Sequence, residues 1–154
     1  FTFFCKFFTF FTFTFFSTFK IFYNSIFYAV NTLIYFFKGQ GRVAEALLTH
    51  APQEVAIPAV VLYELRVGIA RSSQPQQRAE QLARLTAVTR PLPFGEREAQ
   101  AAAELRAELE RAGAPIGPHD TLIAGTVLAH GAILVTRNTR EFGRVKRLRL
   151  ENWY

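Results

Sequence analysis

From Ile26 onward the apolar positions follow two alternating rhythms: short runs with little polar interruption, and longer stretches where they return every three or four residues. Ile26 to Tyr35 is β-branched and aromatic, with Val30, Leu33 and Ile34, and predicts a buried strand. Lys38-Gly39-Gln40-Gly41 breaks it, and Val43 to Leu48 begins a short helix. Glu54-Val55-Ala56-Ile57 predicts a second short strand, stopped by Pro58. That proline suits the first turn of a helix running through Val61, Leu62, Leu65 and Ile69. Gln76 to Val88 is amphipathic through Leu82 and Leu85. Pro91-Leu92-Pro93-Phe94 predicts an edge strand, because its prolines exclude a central one. Glu96 to Arg111 is rich in Ala, Glu and Arg and predicts a helix closed by Gly113. His119 to His130 predicts a further helix, closed by Gly131. Ala132-Ile133-Leu134-Val135-Thr136 is a strongly apolar strand, and Leu148-Arg149-Leu150 supplies a last short one.

Strands alternating with helices imply an α/β domain whose parallel sheet is covered on both faces. In such sheets ligands bind beyond the carboxyl ends of the strands. Thr136-Arg137-Asn138 leaves the most apolar strand, which puts Asn138 at that rim.

Composition then divides the chain. Its 154 residues suffice for one domain with a modest core. Residues 1–37 hold 15 of the 17 Phe, and the sequence contains no Met. Three readings apply to the Phe/Thr-rich start: a membrane segment, since Ile21 to Phe37 is uncharged; a signal peptide, for which neither a basic start nor a cleavage site stands out; and a low-complexity extension outside the fold, translated from a shifted gene start. The abrupt change of composition favours the third, with residues 1–26 as the extension and 27–154 as the domain. Formal net charge is +6, and Arg137, Arg140, Arg144, Lys146, Arg147 and Arg149 nearly account for it. A basic stripe suits a polyanion such as nucleic acid, and equally a solvated surface. The single cysteine, Cys5, excludes an internal disulfide framework and fits a reduced, cytoplasmic setting.

Two acids stand inside apolar helical patterns: Glu64 in Val61-Leu62-Tyr63-Glu64-Leu65-Arg66 and Asp120 in Ile116-Gly117-Pro118-His119-Asp120-Thr121-Leu122-Ile123-Ala124. A buried carboxylate is costly unless its charge is compensated, so two from distant segments suggest a shared divalent cation. Each has an ordinary alternative. Glu64 could pair with Arg66 or Arg71 on a helix surface, Asp120 could serve its helix's first turn, and Asn138 could form a turn. His119-Asp120 lacks the further histidines of a phosphohydrolase metal set, so His119 reads as a neighbour rather than a ligand. No phosphate-binding glycine loop and no serine nucleophile elbow occur.

Four segments in this order, Asn31 to Gly39, Ile57 to Leu65, Ile116 to Ala124 and Leu134 to Phe142, resemble the PIN domain, and more narrowly the VapC toxins of bacterial toxin–antitoxin pairs. The resemblance spans about residues 29–154. It implies a three-layer α/β/α fold with a central parallel sheet. It also implies a Mg²⁺- or Mn²⁺-dependent endoribonuclease acting on RNA, held silent by a VapB-like antitoxin and working as a homodimer without a membrane. Glu64 and Asp120 match the family's metal-binding acids, Asn138 a position that is Asp or Asn, Asn31 the Asn of the opening Asp-x-Asn motif, and Thr136 a small hydroxyl residue at a strand end. Arg137, Arg140 and Arg144 would contact flanking phosphates, with Thr136 beside them at the substrate. One departure is plain: the opening Asp should stand two residues before Asn31, where this chain has Ala29. Metal affinity and rate are therefore expected to fall, and the alternative reading is a catalytically inactive PIN relic that still binds an antitoxin or RNA.

Overall fold

A computed structural model describes residues 26–37, 42–51 and 54–153. The Phe/Thr-rich residues 1–25 and the break at 38–41 lie outside that description. Five short strands, β1 (Ile26–Tyr28), β2 (Val55–Pro58), β3 (Arg90–Leu92), β4 (Ile133–Val135) and β5 (Arg149–Glu151), form one sheet in the order β3-β2-β1-β4-β5. Every neighbouring pair is parallel. Among the described residues seven helices connect and flank them: α1 (Val30–Phe37), α2 (Val43–Leu48), α3 (Ala59–Ala70), α4 (Pro75–Val88), α5 (Glu96–Arg111), α6 (Pro118–His130) and α7 (Thr139–Phe142). The result is the three-layer α/β/α arrangement expected from the alternation of the two apolar rhythms.

Strand order explains where a site can form. The chain places β2 and β3 on one side of β1, then returns to lay β4 and β5 on the other. Between β1 and β4 the order reverses, and the connections leaving the two strands diverge, opening a crevice at their carboxyl ends. β1 and β2 are lined by Ile26, Phe27, Val55, Ala56 and Ile57, all buried, as befits strands covered on both faces. Arg90 and Pro91 are exposed on β3, in keeping with the edge position its prolines predicted.

Two boundaries need correction. Ile26 belongs to the sheet, paired with Val55 and Ile133, so the domain begins at least one residue before the change of composition suggested. The expected strand Ile26 to Tyr35 is a strand only to Tyr28; Val30–Phe37 is helical. Ala29, Thr32 and Leu33 are buried while Ile34 is exposed, which is helical spacing. Thr32 Oγ1 donates to the Val135 carbonyl at 2.8 Å, fixing the start of α1 to the end of β4. Tertiary contacts thus override the strand preference of a β-branched, aromatic run. The same assignment breaks up the uncharged stretch read as a membrane span, and no helix among the described residues is long and apolar enough to cross a membrane.

α5 and α6 pack closely because Gly125 of α6 faces Ala102 of α5. A Cβ at position 125 would meet the Ala102 Cα at 2.5 Å. A buried pair ties the same two helices together: His130 Nε2 bonds Glu98 Oε1 at 2.8 Å, while Glu98 Oε2 accepts the Gly95 N–H at the head of α5. Burial lowers the His130 pKa more strongly than its bond to Glu98 raises it, which favours the neutral ring.

Candidate active site

The crevice between β1 and β4 holds a cavity of about 250 Å³ lined by Ala29, Ile34, Glu64, Asp120, Ile123, Asn138 and Phe142. Each polar wall arrives by a different route. Glu64 lies one turn into α3, whose buried Val61 and Leu65 press the helix onto the sheet and turn Glu64 toward the rim. Asp120 stands in the first turn of α6, started by Pro118 and preceded by Gly117. Asn138 follows β4 and precedes α7. Acids 56 positions apart in sequence, Glu64 and Asp120, therefore share one cavity with the rim asparagine.

The electrostatics agree with that geometry. Burial first, then the negative charges of Glu64 and Glu141, push the Asp120 carboxyl above its ordinary range, with His119 opposing them. Asp120 thus sits in a negative field that a cation would relieve. His119 Nδ1 donates to Glu64 Oε1 at 2.8 Å and takes the place of the surface partners, Arg66 or Arg71, open to Glu64 on sequence alone. Glu141 was missed by sequence reasoning. It follows Asn138 by three residues across the short α7, a same-face spacing that could have flagged it, and it also lies 3.5 Å from Arg144.

Ala29, where the resemblance expects an acid, is buried and forms part of the cavity wall. Asn31 lies in the first turn of α1, and its side chain is outside the described part of the structure. Thr136, expected beside the substrate, is fully buried, and its hydroxyl accepts the Asn138 N–H at 3.0 Å. That bond shapes the turn that carries Asn138. Arg137 and Arg140 are exposed beside Asn138. Arg144 is committed internally, donating to the Pro115 carbonyl at 2.6 Å. Arg147 pairs with Glu108 at 2.9 Å, and Arg149 donates to the Gly131 carbonyl. Arg144, Arg147 and Arg149 thus have partners within the chain.

Among the described residues no group of three or more His, Cys, Asp and Glu side chains forms a self-sufficient metal cage. What the cavity offers is two carboxylates and an amide, all hard oxygen donors. That set fits Mg²⁺ or Mn²⁺, of which Mg²⁺ commonly takes one or two protein carboxylates and completes its shell with water and phosphate oxygens.

An open parallel α/β domain with acids gathered at its switch point is the class that fold and site define. The sequence profile of the PIN domain matches residues 30–148. The tRNA(fMet)-specific endonuclease VapC of Shigella flexneri is 38% identical over 100 residues, 65% of this chain and 76% of that protein. The protein of the same name from Salmonella typhimurium is 30% identical over 123 residues, 80% and 93% of the two chains. The crystal structure of DNA-bound VapBC from Salmonella typhimurium superposes with a TM-score of 0.80 at 29% identity, covering 85% of this chain and 99% of that one. VapBC2 from Rickettsia felis, bound to a promoter DNA fragment, gives 0.78 at 32% identity, covering 84% and 98%. The chain belongs to the PIN domain family, and its relatives within that family are VapC ribonucleases.

Proposed function

We propose that this chain is an endoribonuclease toxin of the VapC type, kept silent by a VapB-like antitoxin and active in the cytoplasm as a Mg²⁺- or Mn²⁺-dependent enzyme. The observation that carries the reading is the shared cavity of Glu64, Asp120 and Asn138 at the switch point of a PIN domain. The VapC ribonucleases among its relatives, and the VapBC assemblies among its structural neighbours, support the RNA substrate and the antitoxin. A homodimer belongs to the same family expectation.

Glu64 and Asp120 would hold the cation, with Asn138 supplying a neutral oxygen beside them. When bound, such a cation acts as a Lewis acid toward a phosphodiester and yields a nucleophilic water at neutral pH. The chain's own residues set the conditions for that chemistry. His119 holds the Glu64 carboxylate in one orientation. The buried Ile123 and Phe142 supply the apolar part of the cavity wall. Arg137 and Arg140, exposed beside Asn138 in sequence, would contact flanking phosphates, while the buried Thr136 fixes the turn that carries Asn138. Ala29 makes the donor set one carboxylate poorer than the family pattern, so a slow enzyme is expected.

The test is cleavage of RNA by the purified chain with Mg²⁺ or Mn²⁺, with and without a chelator. Asp120→Asn should lower the rate by about two orders of magnitude or more, the scale of a lost positioned charge. Equal cleavage by the two proteins would falsify the site assignment.

A further inference from the structure

Among the described residues the large apolar side chains left exposed are Ile34, Tyr63 and Val88, and Tyr63 is the aromatic one. An exposed tyrosine alone is an ordinary surface feature. This one is held in place. Its ring meets the His119 ring at 5.7 Å with an interplanar angle of 82°, and His119 is itself fixed by its 2.8 Å bond to Glu64. Tyr63 remains 56% exposed and the His119 side chain 48%. The two rings thus form a right-angled aromatic corner, open to solvent and joined by one hydrogen bond to a carboxylate of the cavity.

We propose that this corner is a binding site for an unpaired nucleobase of RNA, stacked on Tyr63 with its edge toward His119, adjacent to the phosphodiester that the acids address. The proposal rests on the ribonuclease reading and names the form of substrate it takes: a single-stranded segment. Unstacked RNA bases are recognised on aromatic faces, which a paired duplex cannot offer. Charge decides which part of the nucleotide lies there. Glu64 borders the corner and Asp120 follows His119 directly, so a phosphate on the rings would be repelled while a neutral base would not. The backbone is then left to the cavity, where the cation of the proposed site would offset the two acids, and to exposed Arg140.

The experiment uses the full chain carrying Asp120→Asn, so that RNA survives, and a single-stranded RNA containing one 2-aminopurine, whose fluorescence is quenched by stacking. Quenching is expected with the single strand and not with the same strand annealed to its complement. Adding Tyr63→Ala should weaken binding by about tenfold or more and abolish the quench, the scale of one lost base–aromatic stack. Tyr63→Phe should retain both, since the ring and not the hydroxyl does the stacking. His119→Ala, which frees the tyrosine ring, should reduce the quench. Tyr63 is exposed, so a thermal melt of each variant close to that of the parent separates these effects from misfolding. Unchanged binding and quenching in Tyr63→Ala overturns the proposal and leaves the ring to a protein contact; equal binding of the duplex overturns it too. The readout does not depend on cleavage. A parent chain that stacks RNA but never cuts it keeps the corner and discards the nuclease, whereas a cutting enzyme indifferent to Tyr63→Ala does the reverse. Absence of any RNA binding discards both.

Discussion

Ala29 puts a methyl group where the family pattern has a carboxylate, in the wall of the cavity that holds Glu64 and Asp120. Ala29→Asp should raise RNA cleavage at limiting Mg²⁺ by about tenfold or more, since even outer-shell partners of a metal are worth 10- to 100-fold. The same change adds a third charge to a buried negative field. Its melting temperature should fall in chelator and recover with Mg²⁺ more than the parent's does; a melt insensitive to Mg²⁺ would separate position 29 from the cation. Asp120 supplies a pH-dependent counterpart. Burial and its two acidic neighbours hold its carboxyl above the ordinary 3.8. The stability it contributes is therefore full below that value and is lost as pH rises through the raised pKa. At neutral pH the ionised group works against the fold, so Asp120→Asn should melt higher than the parent at pH 7, with the difference closing as the pH approaches 3. A variant that melts lower at pH 7 would contradict this account. Both acids were legible in the sequence because each interrupts an apolar helical pattern. Glu141 and the His119 bond to Glu64 were not, because their meaning depends on which helices the sheet brings together.

At the scale of elements, the contact between α5 and α6 rests on a missing side chain. Gly125→Ala would drive a Cβ into the backbone at Ala102. Backbone cannot swing aside as a side chain can, so a loss of about 1–3 kcal/mol is expected despite alanine's better helix propensity. Gly68, in α3, has open space where a Cβ would go. Gly68→Ala should therefore gain up to about 1 kcal/mol. Chemical denaturation of the pair should move the midpoints in opposite directions; movement in the same direction would mean that α5 and α6 can shift apart. The Ala, Glu and Arg composition marked the limits of α5 as observed, because these residues leave the helix no competing structure. It failed at α1, where aromatic and β-branched residues carry strand preference and tertiary contacts, the bond from Thr32 to Val135 among them, favour the helix.

Over the whole molecule, the net charge of +6 overstates the surface offered to a polyanion. Arg144, Arg147 and Arg149 are occupied by carbonyl or carboxylate partners of the fold. RNA bound by the Asp120→Asn chain should weaken with salt, and Arg140→Ala should reduce the slope of log affinity against log salt by about one phosphate's worth. Arg147→Ala should leave that slope unchanged. Equal slopes for both variants would show that Arg140 does not face the nucleic acid. The fold class was legible at this scale because alternating elements admit few topologies. The identity of the switch-point strands was not, since it depends on which strand returns beside β1.

That return sets a timetable. β1 is the middle strand of the sheet, yet one of its neighbours, β4, lies more than a hundred residues downstream, as the register Ile26 to Ile133 records. Emerging from a ribosome, the first half of the polypeptide lacks β4, Asp120 and Asn138 alike, and a domain closed by such distant pairings forms late. A nascent chain that stops short of β4 therefore has a sheet without its middle pairing and a cavity without two of its three polar walls.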